Sequence, residues 1–358
     1  MLTGNDRPSG VLARSSGVAA LDSAVAEGEG ADILSDVLRA VRLSGALFFL
    51  TDASCPWSVD IPPGTALIPL VLPNAQQLIS YHVVISGRCW CRGPGVAEQE
   101  LEAGDVVVIP QGGPYALSNP RGLPGEWPPD EILTFFRLMA ARELPFVVPE
   151  GGGGPERLQV LCGFLGCDML PFNPALGALP PVLVVRRPPQ SAVDRLSQLI
   201  EFAMDESRER KAGSDCVLLR IAELMFVEVV RRHLATIAPD QTGWLAGLRD
   251  PIVGRALALL HRQASRAWTL QGLARESGMS RSALSERFTH FVGTSPIQYL
   301  VRWRMQTATC LLRDGNAKVS AVAAEVGYES VAAFSRAFAR TVGMPPAAWR
   351  KRQLAARG

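Results

Sequence analysis

The chain has 358 residues, enough for two or three domains with separate cores. Its 36 Lys/Arg and 34 Asp/Glu nearly cancel, but residues 250–358 hold 16 basic and six acidic side chains (+10), against 20 and 28 (−8) before them. A basic tail on an acidic body suits a polyanionic partner; a mean hydropathy of +0.14 argues against wholesale disorder.

No uncharged apolar run reaches the ~18–20 residues a membrane helix needs, so no membrane role is expected. Met1–Gly10 lacks the basic-then-apolar order of a signal peptide. Seven cysteines in a chain this long do not make a disulfide framework. The expected compartment is the reducing cytoplasm.

Residues 1–30, rich in Gly, Ser, Ala and Asp, have no sustained period and read as a flexible leader. Asp32–Ser44 sets Ile33, Val37, Leu38 and Val41 at helical spacing, with Asp32 as N-cap. Short β-rich runs follow at Leu47–Leu50, Ala66–Val71, Leu78–Ile85, Arg88–Arg92, Asp105–Ile109 and Ile132–Leu138, with a further strand expected at Leu158–Leu165. Gly- and Pro-containing turns separate them, and this density predicts an antiparallel sandwich or barrel.

Within this region Gly104, Pro110, Gly112 and Asn119 fit the second cupin motif, G-x5-P-x-G-x2-H-x3-N, with Tyr115 at the position of the metal-binding His. The first motif survives only as Tyr81–Gly87; Ser80 stands where the family has a Glu ligand, and no H-x-H precedes it. The region thus resembles a cupin whose metal site cannot be built, since His82 is the one histidine it contains. No metal, no cofactor and no catalytic residue are expected, and the region spanning 31–188 reads as a sensor barrel. Trp57, Trp90, Tyr115 and His82 are candidate effector contacts; each is also compatible with plain core packing. Cys89 and Cys91 share one side of a strand, and Arg88 and Arg92 beside them would favour thiolate, so an oxidant-sensing role is an alternative to inert buried cysteine.

After Pro188-Pro189 the period becomes helical. Val193, Leu196, Leu199, Ile200, Ala203 and Met204 form one stretch, and Val217, Leu218, Ile221, Leu224, Met225, Val229 and Val230 a second. These helices, within 189–240, would pack on their own barrel or pair two subunits.

The basic third repeats itself. Leu273–Ser280 recurs as Val322–Glu329, and Phe288/Phe338, Gly293/Gly343, Pro296/Pro346 and Tyr299/Trp349 follow in register. Each copy has helix-turn-helix mechanics: Thr269 caps a short helix, Gly278 makes the turn, Ser280 caps the second helix and Leu284 and Phe288 face inward. Arg281, Ser282, Ser285 and Glu286 then point outward. In the second copy Gly327 turns, Phe334 and Phe338 face inward, and Ser330, Val331, Ser335 and Arg336 face out. The intervening Pro296–Arg313 carries a helical stripe of apolar residues. A rigid helix holding the copies on the order of 34 Å apart would let both enter successive major grooves.

Residues 250–358 resemble the DNA-binding domain of AraC/XylS-type transcription regulators through Trp268–Leu270, Leu273-Ala274, Gly278–Ser280, Gly293–Pro296, Gly327-Tyr328, Phe334–Arg336, Phe338 and Pro345-Pro346. A cupin-type N-terminal domain occurs in one subfamily. The resemblance implies base readers at Ser282, Ser285 and Glu286 and at Val331, Ala332, Ser335 and Arg336. Arg336 suits guanine and Glu286 cytosine N4. Arg281, Arg304, Arg340 and Arg350, with Arg287, Arg302, Lys351 and Arg352, are candidates for phosphate. The expected fold is multidomain α+β: a cupin-like barrel, central helices and an all-α double helix-turn-helix. The expected function is a non-enzymatic, sequence-specific regulator of promoter DNA, an activator that touches RNA polymerase, is tuned by a small molecule and forms a homodimer. The alternatives are redox sensing, a cupin enzyme with a DNA-binding tail, or a nucleoid protein without sequence preference.

Overall fold

The computed structural model describes residues 32–41, 43–167, 172–188, 194–209, 211–238, 240–314 and 317–355. The expected leader and Val193 lie outside them. The chain opens with α1 (Ile33–Ala40), capped by the Asp32 carboxylate on the Ser35 amide as anticipated. The strands β1 (Leu43–Ser54), β2 (Trp57–Ile61), β3 (Gln77–Ser86), β4 (Arg88–Arg92), β5 (Gln99–Glu102), β6 (Val106–Ile109), β7 (Tyr115–Asn119), β8 (Val147–Gly151), β9 (Arg157–Cys167) and β10 (Leu183–Val185) form two sheets. Their orders are β10-β6-β3-β9-β1-β8 and β2-β7-β4-β5. All pairings are antiparallel except the parallel β1–β8.

The six-stranded sheet is buried on both faces, which is why β3 reads as an almost continuous apolar run. Along it Leu78 and Val84 face the space between the sheets, while Ile79, Tyr81 and Val83 face the helical layer. That layer is α5 (Arg195–Glu209) and α6 (Ser214–Thr236). Ile221, Ala222, Met225, Phe226, Val229 and Val230 of α6 join the core outside the sheet, so the inner face of this helix packs on its own barrel. Leu224, expected on that face, is exposed instead. Arg232 ties the two helices together through Asp194 and its own-helix neighbour Glu228.

Two expected strands are helices. Ala66–Val71 lies in α2 (Gly64–Val71), which buries Leu67 and Val71 one turn apart. A short, wholly apolar run fits either a buried strand or a buried helix, and periodicity alone does not separate them. Ile132–Leu138 lies in α3 (Pro129–Ala140), with Ile132, Phe135, Phe136 and Met139 buried. That is the i, i+3, i+4, i+7 pattern of a helical stripe; Pro129 opens the helix and Asp130 and Glu131 suit its positive end. Each aromatic buried there contributes roughly 1.5–3 kcal/mol.

The segment Phe172–Leu179, containing α4 (Pro174–Ala178), leads back to β10 and faces the C-terminal helices. These are α7 (Trp244–Arg249), α8 (Pro251–Arg262), α9 (Leu270–Glu276), α10 (Arg281–Val292), α11 (Pro296–Asp314), α12 (Val319–Glu325), α13 (Val331–Val342) and α14 (Pro346–Ala355). Helix α11, about 28 Å long at 1.5 Å per residue, belongs to two cores. Its Tyr299, Leu300 and Trp303 are buried with α7–α10. Its Met305, Ala308 and Leu312 are buried with α12 and α13.

Candidate nucleic-acid interface and sensor cavity

The two copies form as their caps dictate. Thr269 accepts from the Gly272 amide, Ser280 from Ala283 and Ser330 from Ala333, whereas Lys318, at the corresponding start of α12, makes no side-chain cap. Leu284 and Phe288 of α10, and Phe334 and Phe338 of α13, are fully buried. Those anchors turn the opposite faces outward: Ser282 and Glu286 are exposed and Ser285 half-buried on α10, and Val331, Ala332 and Arg336 are exposed with Ser335 half-buried on α13. All seven expected base-facing residues thus lie on accessible faces of the second helices.

The expected phosphate contacts divide. Arg281 and Arg340 are exposed, as are Lys351 and Arg352. Arg304 is not available: its Nε and Nη2 donate to the carbonyls of Ala264 and Arg266, each at 2.7 Å, and its guanidinium lies 5.7 Å from the Tyr328 ring centroid. It is a clasp between the end of α8 and the second copy. Arg350 likewise donates to the Ala317 carbonyl, anchoring α14 to the entry of α12. Arg287 forks onto Asp250 through Nε and Nη2. Burial alone would raise the Asp250 carboxyl pKa, but the Arg287 hydrogen bond and the Val253 and Ile252 amides outweigh it and hold the carboxyl below its ordinary range. A basic residue on an outward face was read as a phosphate ligand; nearby carbonyls and carboxylates, invisible in the sequence, claim these three.

Beneath the first copy sits a polar knot. Tyr299 Oη accepts from Trp244 Nε1 at 3.0 Å and lies 2.7 Å from His261 Nε2. Burial pushes the His261 pKa down to about 3, so the ring is neutral and shares a single hydrogen bond with the phenol. Phe172, from the segment leaving the barrel, packs edge-on to the same Tyr299 ring at 5.4 Å, and its amide donates to Gln306 Oε1 at 3.4 Å. The barrel segment therefore touches α11 directly.

The barrel interior holds a cavity whose lining includes Trp57, His82, Glu150, Cys162 and the aromatic side chains of α3. Of the four expected effector contacts, Trp57 and His82 line it. Tyr115 is buried beside it, with Oη on His82 Nε2. Trp90 does not: along β4 Cys89 and Cys91 face inward, so Trp90 points to the other face and is half-buried there. The same alternation undoes the redox argument. Arg88 and Arg92 sit on the outer face, where they pair with Glu156 and Asp60, so their charges do not favour the thiolates. Burial pushes the Cys91 thiol up to about 12 and Cys89 higher still.

The imidazole position of the cupin motif is thus a phenol hydrogen-bonded to a histidine that burial keeps neutral, with a pKa of about 3. No group of three metal-ligating side chains converges among the described residues, and the residues present do not fit a cupin metal. The sequence reading missed Glu150, Thr51, Trp127 and the α3 pair Phe135 and Phe136, all lining the cavity. Only the α3 residues carried a signal, their helical spacing.

Comparison with known proteins bears on both parts. A family model described as a cupin matches residues 32–235, and one described as a helix-turn-helix domain matches 273–352. A putative AraC-like transcription regulator of Streptomyces antibioticus is 39% identical over 325 residues, 90% of this chain and 99% of that protein. A putative AraC-like regulator of Streptomyces lividans is 31% identical over 321 residues, 89% of this chain and 98% of that one. The HTH-type transcriptional regulator AlkR of Acinetobacter baylyi is 27% identical over 280 residues, 77% and 89% of the two chains.

Proposed function

The chain belongs to the AraC-like family of DNA-binding transcription regulators, and on that premise we propose that it is a sequence-specific activator whose barrel binds a small molecule. One observation carries the reading: two capped helices with accessible faces are mounted on a single helix, α11, whose halves are locked into different cores. Both second helices then meet one duplex together, along one side. Arg336 makes a bidentate contact to guanine, Glu286 accepts from cytosine, and Ser282, Ser285, Val331, Ala332 and Ser335 approach neighbouring base edges. Arg281 and Arg340 neutralise phosphates, which gives affinity without sequence choice.

The signal enters at the cavity lined by Trp57 and His82 and reaches α11 through Phe172, which contacts Tyr299 and Gln306. A ligand acts by preferring one arrangement of barrel and α11 over another. Activation is by contact with RNA polymerase, and the protein works in the cytoplasm. The exposed Phe202 of α5 and Leu224 of α6 support pairing of two copies through the outer face of these helices. The test is a footprint of the full-length protein on DNA selected from a random pool. Two protected patches on one face of the duplex, centred about 10 base pairs apart, are expected. Equal binding to selected and scrambled DNA at fixed salt overturns the proposal.

A further inference from the structure

The barrel cavity has a definite electrical character. Glu150 is the one acidic side chain among the lining residues, and no Lys or Arg lines the cavity. The Trp57 indole N–H donates to one of its carboxylate oxygens at 2.6 Å, and among the described residues no ion pair neutralises it. Burial raises the Glu150 pKa, the Trp57 hydrogen bond lowering it only in part, as expected of a carboxylate without a counter-charge. His82 across the cavity is neutral for the reason given above.

The remaining walls are aromatic and aliphatic, with Ile61, Leu117 and Ile132 beside the rings. Phe49, Phe135, Phe136 and Phe164 pack edge-to-face with centroids 5.2–6.3 Å apart, and Trp127 extends the cluster through Phe135 at 5.4 Å. Aromatic faces are negative and attract cations when water is excluded. The half-exposed lining residues are Val59, Trp127 and Glu150, so acid and indole meet solvent together at the mouth. The enclosed void between these side chains is about 20 Å³, room for a single water, so a larger ligand sits at the mouth and goes deeper only as the lining side chains move apart.

We propose that the barrel's effector is an organic cation, an ammonium bearing alkyl or aryl groups, whose charged head lodges at the mouth against Glu150 and Trp127 while its apolar part points toward the phenylalanines. The proposal rests on the reading of the barrel as the sensor and adds the ligand's charge. An anion would meet a carboxylate and π-faces with no basic side chain to receive it. A neutral ligand would cover Glu150 without a compensating charge.

The test uses calorimetric titration of the full-length protein with three probes of like shape: choline, its neutral isostere 3,3-dimethylbutan-1-ol, and 3,3-dimethylbutyrate. Choline is expected to bind at least about tenfold more tightly than the alcohol, with no binding of the carboxylate. Glu150→Gln is expected to bring choline down to the alcohol's affinity, the alcohol's own affinity reporting that the cavity is intact. Equal or tighter binding of the alcohol or the carboxylate, or no heat from choline at millimolar concentration, overturns the proposal. Val59→Trp, at a half-buried position on the rim of the barrel core, narrows the mouth and separates the two readings, its thermal melting checked against the parent protein. Charge preference that survives Val59→Trp puts the cation elsewhere and overturns the barrel site. Alcohol binding that Val59→Trp abolishes, with Glu150→Gln silent, keeps the barrel site and removes the cation.

Discussion

The two helix-turn-helix copies share a sequence pattern, turn glycines and buried pairs, yet they stand in different surroundings. The first is built into a core that runs from α1 and the barrel's outer face through α7 and α8 to Phe288 and Tyr299. The second has a small core of its own, and Trp349 of α14 packs against its Phe338. The turn glycines show the contrast most sharply. Gly278 has φ +76° with open space where a Cβ would stand, whereas Gly327, at φ +81°, would place a Cβ 2.3 Å from the Ser265 carbonyl oxygen. One conformational requirement is met in both copies, and only in the second does a neighbour add a steric one. Repetition in sequence thus marks equal local folds, and unequal packing marks which copy shares a core with the barrel.

Substitutions at these glycines should separate the copies most strongly. Gly327→Ala is expected to cost about 3 kcal/mol or more, combining left-handed strain with a backbone clash, against about 1 kcal/mol for Gly278→Ala. Urea denaturation of the two variants checks this, and equal losses would erase the distinction between the turns.

Acid should act next. His82 in the barrel and His261 under the first copy have folded pKa values of about 3, both lowered by burial. Unfolded, they titrate near 6.5, so below that pH the unfolded chain binds more protons and stability falls as pH drops. Between pH 6.5 and 5 the loss is about 2 kcal/mol for each histidine. The core of the second copy contains no histidine. Hydrogen exchange at pH 5 against pH 7 should therefore show β3 and α8 losing protection before α13; uniform loss would show that the copies unfold as one.

DNA readout should also divide between them. Arg336→Ala is expected to weaken specific binding by about 1–3 kcal/mol and relax one base preference in the second half-site alone. Gel shifts on singly substituted sites measure it, and unchanged affinity and selectivity would remove Arg336 from the readout. The smallest effect is expected of Tyr299→Phe, which strands Trp244 Nε1 and leaves His261 Nε2 without a hydrogen-bond partner. It should cost about 1–2 kcal/mol of stability, and a double-mutant cycle with Phe172→Leu should reveal coupling between barrel segment and first copy. Strict additivity would mean that the contact carries no signal.

The helical third was legible because its signals are local: caps at Thr269 and Ser280, turn glycines, and buried pairs one turn apart; the cap at Ser330 came only with the structure. Strands β3, β4 and β6 were legible as short β-rich runs between turns, whereas the polar β5 between them was not. What escaped depended on distance. The short apolar run of α2 has the same pattern as a buried strand, and only the sheet above it decides. Glu150 on β8 gains meaning from Trp57, 93 residues earlier, and Arg304 from carbonyls 38 and 40 residues away. Hydrogen-bond partners of that separation leave no trace in a single sequence.

The clasp of Arg304 on the Ala264 and Arg266 carbonyls, with Gly327 seated on Ser265 between them, has a consequence for promoter architecture. One extra base pair in the spacer between the two half-sites rotates the second by roughly 34° about the duplex axis. A hinge between the copies would absorb that rotation by swivelling. Here Gly327 packs on the Ser265 backbone and Arg304 holds the carbonyls on either side, so the joint is expected to resist that swivel, and spacer length should then be as strict a part of the operator's identity as its letters.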